Sequence, residues 1–155
     1  MIAVNTDRIE KEIVLRALRS RVWCALTNAQ EFGKWFQADI KDAFVAGAPA
    51  RGRITHPGYE HLTIEVHVER IEPEHLFSFR WHPYAVDAKH DYSGEPTTLV
   101  VFELEEIAGG RTRLKVTESG FDQIPVLRRA EAFRMNSEGW AAQVENIARY
   151  VGETS

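Results

Sequence analysis

The sequence predicts an α+β domain in which a curved antiparallel sheet wraps one long C-terminal helix. Three observations carry that expectation. Apolar and polar side chains alternate through the middle of the chain, most clearly with Leu62, Ile64, Val66 and Val68 on one face and Thr63, Glu65, His67 and Glu69 on the other. Between such strands there is no helical pattern long enough to supply the crossovers of a dozen or more residues that parallel pairing requires. Near the end, Phe133, Ser137, Trp140, Val144, Ile147 and Val151 recur at alternating steps of four and three, which places them on one helix face.

In chain order, the first strand falls in Arg8 to Ala17, where Ile9, Ile13 and Leu15 oppose Glu10, Glu12 and Arg16. Two short helices follow. Ser20 is placed to cap one that carries Val22, Trp23 and Leu26, and Asn28 is placed to cap a second through Phe32 and Trp35. A glycine- and alanine-rich stretch around Gly47 to Gly52 reads as a turn region before the strand at Leu62 to Glu69. Pro73 and Glu74 mark the next turn, and Leu76 to Trp81 is a strand with Phe77, Phe79 and Trp81 on a shared face. The last strands, Leu99 to Leu104 and Arg113 to Glu118, are joined through Gly109-Gly110, whose freedom at positive φ suits a hairpin. That makes about six or seven strands in all. The terminal helix is expected from about Pro125 to Val151, with Leu127 and Ala130 extending its apolar stripe backwards. Gly139 within the stripe suggests either a close backbone approach or a tolerated imperfection.

A chain of 155 residues, 44% hydrophobic and 27% charged, fits one globular domain over residues 1–155. Its formal charge of −4 has the wrong sign for a protein that neutralises phosphates, so nucleic acid is not an expected partner. No apolar run is long enough for membrane insertion. The single cysteine, Cys24, excludes an intramolecular disulfide and any multi-cysteine zinc site. The start MIAVNTDRIEKEIVL has no secretory pattern, so the expected location is cytoplasmic. Cys24 lies on an apolar helical stretch, where an inert buried thiol is expected. The two best histidine and carboxylate groupings are His82, Asp87, His90 and Asp91, and His61, Glu65 and His67. Neither has a recognised ligand spacing, so no metal is assigned. No cofactor is assigned either, because no glycine-rich phosphate loop, dinucleotide fingerprint or nucleophile elbow occurs.

Several short motifs follow one another in a fixed order. They are Val22-Trp23, Leu26-Thr27 and Trp35-Phe36 in the early helices, then Gly110-Arg111-Thr112-Arg113-Leu114, Thr117-Glu118-Ser119-Gly120-Phe121 and Gly139-Trp140. Together they resemble the bacterial family related to the activator of the Hsp90 ATPase, within the START-like (SRPBCC, Bet v 1-like) superfamily of helix-grip folds. The likeness runs from about Ile9 to Tyr150. It implies a cavity between the sheet and the terminal helix, a place used across the superfamily for lipids, steroids, polyketides and plant hormones. The chain has only the START-like part and lacks the additional domain of the eukaryotic activators, so Hsp90 stimulation is not expected.

The function expected from this reading is binding of a small hydrophobic or amphipathic molecule by a carrier or sensor. One alternative is an enzyme of the polyketide cyclase/dehydratase or hydrolase type using the same cavity, and another is a chaperone-associated interaction module. Catalysis is left open and no catalytic residue is assigned; the oligomeric state is open too, a homodimer included. The candidate ligand-binding residues are Trp35, Ile64, Val66, Phe79, Trp81, Tyr84, Glu118, Phe121, Met135 and Trp140. Any of the aromatic ones also reads as ordinary core. The pocket is expected near Trp35, Phe79, Trp81 and Glu118 with an apolar lining. Glu118 continues the alternation of Leu114 and Val116 and should point inward, where a carboxylate needs a partner. It would orient a polar ligand group, act as an acid or base, or sit at the strand end, solvated or paired with an arginine. The loop from His82 to Pro96 brings Tyr84, His90 and Tyr92 to the expected cavity mouth.

Overall fold

In the computed structural model, which describes residues 6–154, seven strands form one sheet. Strand β1 (Arg8–Leu15) is followed by helices α1 (Arg19–Thr27) and α2 (Ala29–Phe36). Next come β2 (Ala38–Ile40), β3 (Pro49–Ile54), β4 (Thr63–Glu72), β5 (Leu76–Trp81), β6 (Thr98–Ile107) and β7 (Arg111–Ser119). One 3-10 turn, Phe121–Gln123, leads into α3 (Val126–Thr154). The spatial order is β1-β7-β6-β5-β4-β3-β2, antiparallel throughout, so β1 and β2 form the two edges. Among the described residues no helix is long and apolar enough to cross a membrane.

Local chemistry accounts for most of these boundaries. The Asn28 side chain accepts the Glu31 N–H at 3.0 Å and starts α2 as expected. Ser20 does not cap α1, because that helix begins one residue earlier and its N-cap position falls on Leu18, which offers no side-chain bond. Gly109 and Gly110 both take positive φ in the turn that joins Ile107 to Arg111. The stretch Gly47 to Gly52 is only partly a turn, since β3 begins at Pro49. Gly52 allows β3 to lie against β2: a Cβ there would sit 2.4 Å from the Asp39 carbonyl oxygen.

The interior between the sheet and the helices is a solid aromatic cluster. Phe32, Phe77, Phe79 and Phe102 are fully buried, and their rings meet at 5.8 to 6.5 Å. In α3, Trp140, Val144, Ile147 and Val151 are buried and Ser137 is half-buried, while Phe133 is half-buried against the ring of Phe121 at 5.2 Å. The stripe does not extend backwards: Leu127 is 99% exposed and Ala130 is exposed, so the first turn of α3 stands clear of the core. Gly139 also faces solvent, since a Cβ there would meet nothing within 4 Å, and is a tolerated imperfection rather than a close approach. Cys24 corrects another expectation. The inward face of α1 is set by Val22, Ala25 and Leu26, which turns the thiol outward into solvent.

Candidate functional site

Alternation along β7 turns Leu114, Val116 and Glu118 to the core side, and Glu118 is completely buried. The register sets Glu118 opposite Ile9 of β1 and Val100 of β6. Thr98 lies two residues from Val100 and so on the same face, and Thr98 pairs with Trp81 across β5 and β6. From above, α3 contributes Asn136 and Trp140, one helical turn apart on a shared face.

All four side chains donate to Glu118. Trp81 Nε1 reaches Oε2 at 2.7 Å, and Thr98 Oγ1 reaches the same oxygen at 2.5 Å. Trp140 Nε1 reaches Oε1 at 2.8 Å, and Asn136 Nδ2 spans both oxygens at 2.9 and 3.1 Å. Among the described residues no arginine, lysine or histidine forms an ion pair with it. An indole N–H can only donate, so the two tryptophans require an acceptor, and this donor set is complementary to a carboxylate. The indole rings themselves stack at 5.8 Å with 27° between their planes.

Beside this knot lies a cleft of about 640 Å³, bounded by the ends of α2, β3 and β5, the start of β4, the loop after β5 and Asn136 of α3. Its apolar lining includes Phe36, Ile54, Leu62, Ile64, Trp81 and Val86, and its polar lining includes Thr63, Glu65, Asp87, Asp91, Asn136 and the histidines His61, His82 and His90. The lining is thus mixed where an apolar one was expected, because the loop after β5 brings His82, Asp87, His90 and Asp91 to the cleft. The loop is tied down by Arg128, which donates from Nε to Glu95 Oε1 at 2.8 Å and from Nη1 to the Pro83 carbonyl at 2.7 Å. Its guanidinium also covers the ring of Tyr92 at 4.8 Å. His90 Nε2 bonds the second Glu95 oxygen at 2.7 Å. Burial pushes the Glu95 carboxyl up, but the bonds from His90 and Arg128 outweigh it and hold the group below its ordinary value. Among the described residues no three His, Cys, Asp or Glu side chains gather closely enough to hold a metal ion.

Of the ten candidate residues, Ile64, Trp81 and Tyr84 border the cleft. Glu118 and Trp140 sit behind its Trp81 and Asn136 wall, joined to it by hydrogen bonds. Val66, Phe79 and Phe121 are buried in the core, and Met135 is half-buried on α3. Trp35 is buried with its Nε1 on the Ala25 carbonyl at 2.8 Å, and it borders a separate hollow of about 240 Å³. His90 and Tyr92 join Tyr84 along the cleft. Sequence reasoning missed Thr98, Asn136 and Arg128. A polar Asn one turn before Trp140 on an apolar stripe was the signal for one of them.

Residues 16–152 match the family described as Activator of Hsp90 ATPase homolog 1-like protein. The chain belongs to that family. Its sheet, paired short helices and long terminal helix are the helix-grip arrangement that the sequence resemblance implied. No curated protein matches the chain in sequence. Among solved structures, a protein from Arthrobacter aurescens superposes with a TM-score of 0.75 at 16% identity, over 99% of this chain and 91% of that one. The Aha1 dimer from Colwellia psychrerythraea gives 0.69 at 18% identity, over 93% and 95%. A protein of the dynemicin biosynthetic locus gives 0.71 at 23% identity; it covers 94% of this family member, which spans only 47% of that longer chain. At these identities the likeness concerns the fold.

Proposed function

We propose that the protein binds a small amphipathic molecule non-covalently in the cleft beside Trp81, acting as a carrier or sensor. The observation that carries this reading is the cleft itself. Its volume of about 640 Å³ lies within the ~300–1,000 Å³ usual for small-molecule sites. One wall, Trp81 and Asn136, is held rigid by a buried carboxylate, the kind of support that fixes a recognition surface before a ligand arrives.

Native mass spectrometry of protein purified from its own host tests the proposal. The expected result is a population heavier than 17.7 kDa by the mass of one small molecule, lost on denaturation. Ile64→Trp, which fills the cleft, should abolish that population. Bare protein in the host preparation, with no binding of amphipathic probes by tryptophan fluorescence, would refute the reading. The same spectra report the oligomeric state, which the dimeric neighbour from Colwellia makes worth reading.

A further inference from the structure

We propose that the cleft selects a molecule whose polar end is a positively charged nitrogen, an alkyl- or arylammonium, over one ending in a carboxylate or phosphate. The inference rests on the cleft being a ligand site and adds the charge of what enters it.

Asn136 sets the first condition. Its Nδ2 is committed to both oxygens of Glu118. Rotating the amide would bring Oδ1 against a carboxylate that only accepts, so the orientation is fixed chemically. No described donor reaches Oδ1, and it is not among the atoms buried without a partner, which are Arg19 Nε, Ser78 Oγ and Arg128 Nη2. Because Asn136 borders the cleft, a carbonyl oxygen is what it presents there. A ligand donor satisfies that oxygen, and a carboxylate is repelled by it.

Trp81 sets the second. It too borders the cleft, and its N–H is spent on Glu118. A hydrogen bond to an anion pushes electron density into the indole, which strengthens the negative ring face that attracts cations. Behind both residues lies a buried carboxylate neutralised by no cation of the described chain, so a positive ligand is the charge the wall lacks.

The remaining lining agrees. No lysine or arginine borders the cleft. Of its three histidines, His82 Nε2 is bound to the Glu95 carbonyl, His90 Nε2 to the Glu95 carboxylate, and His61 is exposed close to the Glu60 carboxylate; Glu65 is shared with Arg51 and His67. Asp91 at the rim accepts from Ser93, whose side chain and backbone hold its carboxyl below the ordinary value. An anionic head would find no permanently charged counter-ion along this wall.

Decylamine and decanoate below their micelle concentrations and decanol below its solubility limit, at near-neutral pH and physiological salt, test the idea with one tail and three heads. Calorimetry on the full chain should show decylamine binding at least ~10-fold tighter than decanoate, with decanol between them. Asn136→Leu should cut that preference to below ~3-fold while decanol affinity stays within ~3-fold. Thr63→Lys, at an exposed position on the rim, keeps the buried network intact and should weaken the amine while strengthening the acid. Decanoate binding as tightly as decylamine to the unmodified protein would overturn the proposal and leave the ligand-site reading standing. Binding of none of the three would remove both. A preference unchanged in both variants would also overturn it, since the selection would then lie outside the cleft.

Discussion

Replacing Glu118 by Gln keeps the side chain's size and tests whether the buried network requires a carboxylate. A carboxylate accepts at both oxygens, whereas an amide accepts at one and donates at the other. If the Gln carbonyl takes the place of Oε2, it retains Trp81 and Thr98, and its NH2 then faces Trp140 Nε1 and Asn136 Nδ2. Asn136 can rotate and offer its own carbonyl. Trp140, 3% exposed, cannot, so one buried indole N–H is orphaned at about 1–3 kcal/mol. Loss of the charge weakens the bonds that survive, by roughly 1 kcal/mol in sum, because hydrogen bonds to charged groups exceed neutral ones by about that amount. The expected loss is therefore about 2–4 kcal/mol by urea unfolding. In a Trp140→Phe background the orphan no longer exists, and the same substitution should cost about 1–3 kcal/mol less. A change below about 0.5 kcal/mol in the unmodified background would refute the reasoning, because an amide replaces a protonated acid almost without penalty and a carboxylate much less readily.

Trp140→Ala should cost about 3–5 kcal/mol in the same assay, since the indole is buried and lies against both Trp81 and Phe102; a loss below about 1 kcal/mol would place it outside the main core. Arg128→Ala removes the tie to Glu95 and Pro83, and amide exchange in residues 85–93 should accelerate by roughly tenfold or more with the sheet amides unchanged; unchanged exchange in that loop would show that other contacts hold it. Glu31 is pushed up by burial but pulled further down by hydrogen bonds from Tyr150 and Arg21, and its net position is below the ordinary 4.5. A carboxyl lowered on folding contributes fully above its unfolded value, and that contribution disappears as pH falls through the lowered one. Tyr150→Phe should therefore flatten the loss of stability below about pH 4.5, read as urea midpoints across the acid range; an unaltered acid limb would contradict the assignment.

Strands long enough to show several alternations were readable in the sequence, as β4 and β5 were, and so was a helix start marked by a single good cap at Asn28. Strand β2 has three residues, too few for any period to emerge, and β3 reads Pro-Ala-Arg-Gly-Arg-Ile, with little apolar alternation and with Gly52 required by the close approach of β2. The exposed first turn of α3 misled for a different reason: apolar spacing continues through Leu127, but the core it would face has ended. At the site, alternation alone turned Glu118 inward. Its partners come from positions 18 to 37 residues away along the chain, gathered by strand register and by the docking of α3, neither of which a local pattern encodes. The cleft lies beside the aromatic cluster rather than within it: Phe32, Phe77, Phe79 and Phe102, whose rings meet at 5.8 to 6.5 Å, do not line it.

The sheet's two borders bear on how this protein behaves when crowded. Any open border displays unpaired backbone groups that another chain can extend into a growing ribbon. At one border β2 offers only three residues and is preceded by Gln37 in a left-handed conformation, too short a ledge to seat a newcomer. At the other, β1 is eight residues long, but its outward side chains include Glu10 and Glu12, held by Lys115 and Arg113 of the neighbouring strand. An incoming strand would have to strip those charges of water and match them. Ribbon growth from the native fold is thereby blocked at both ends, so concentrated solutions should remain clear until the chain begins to unfold.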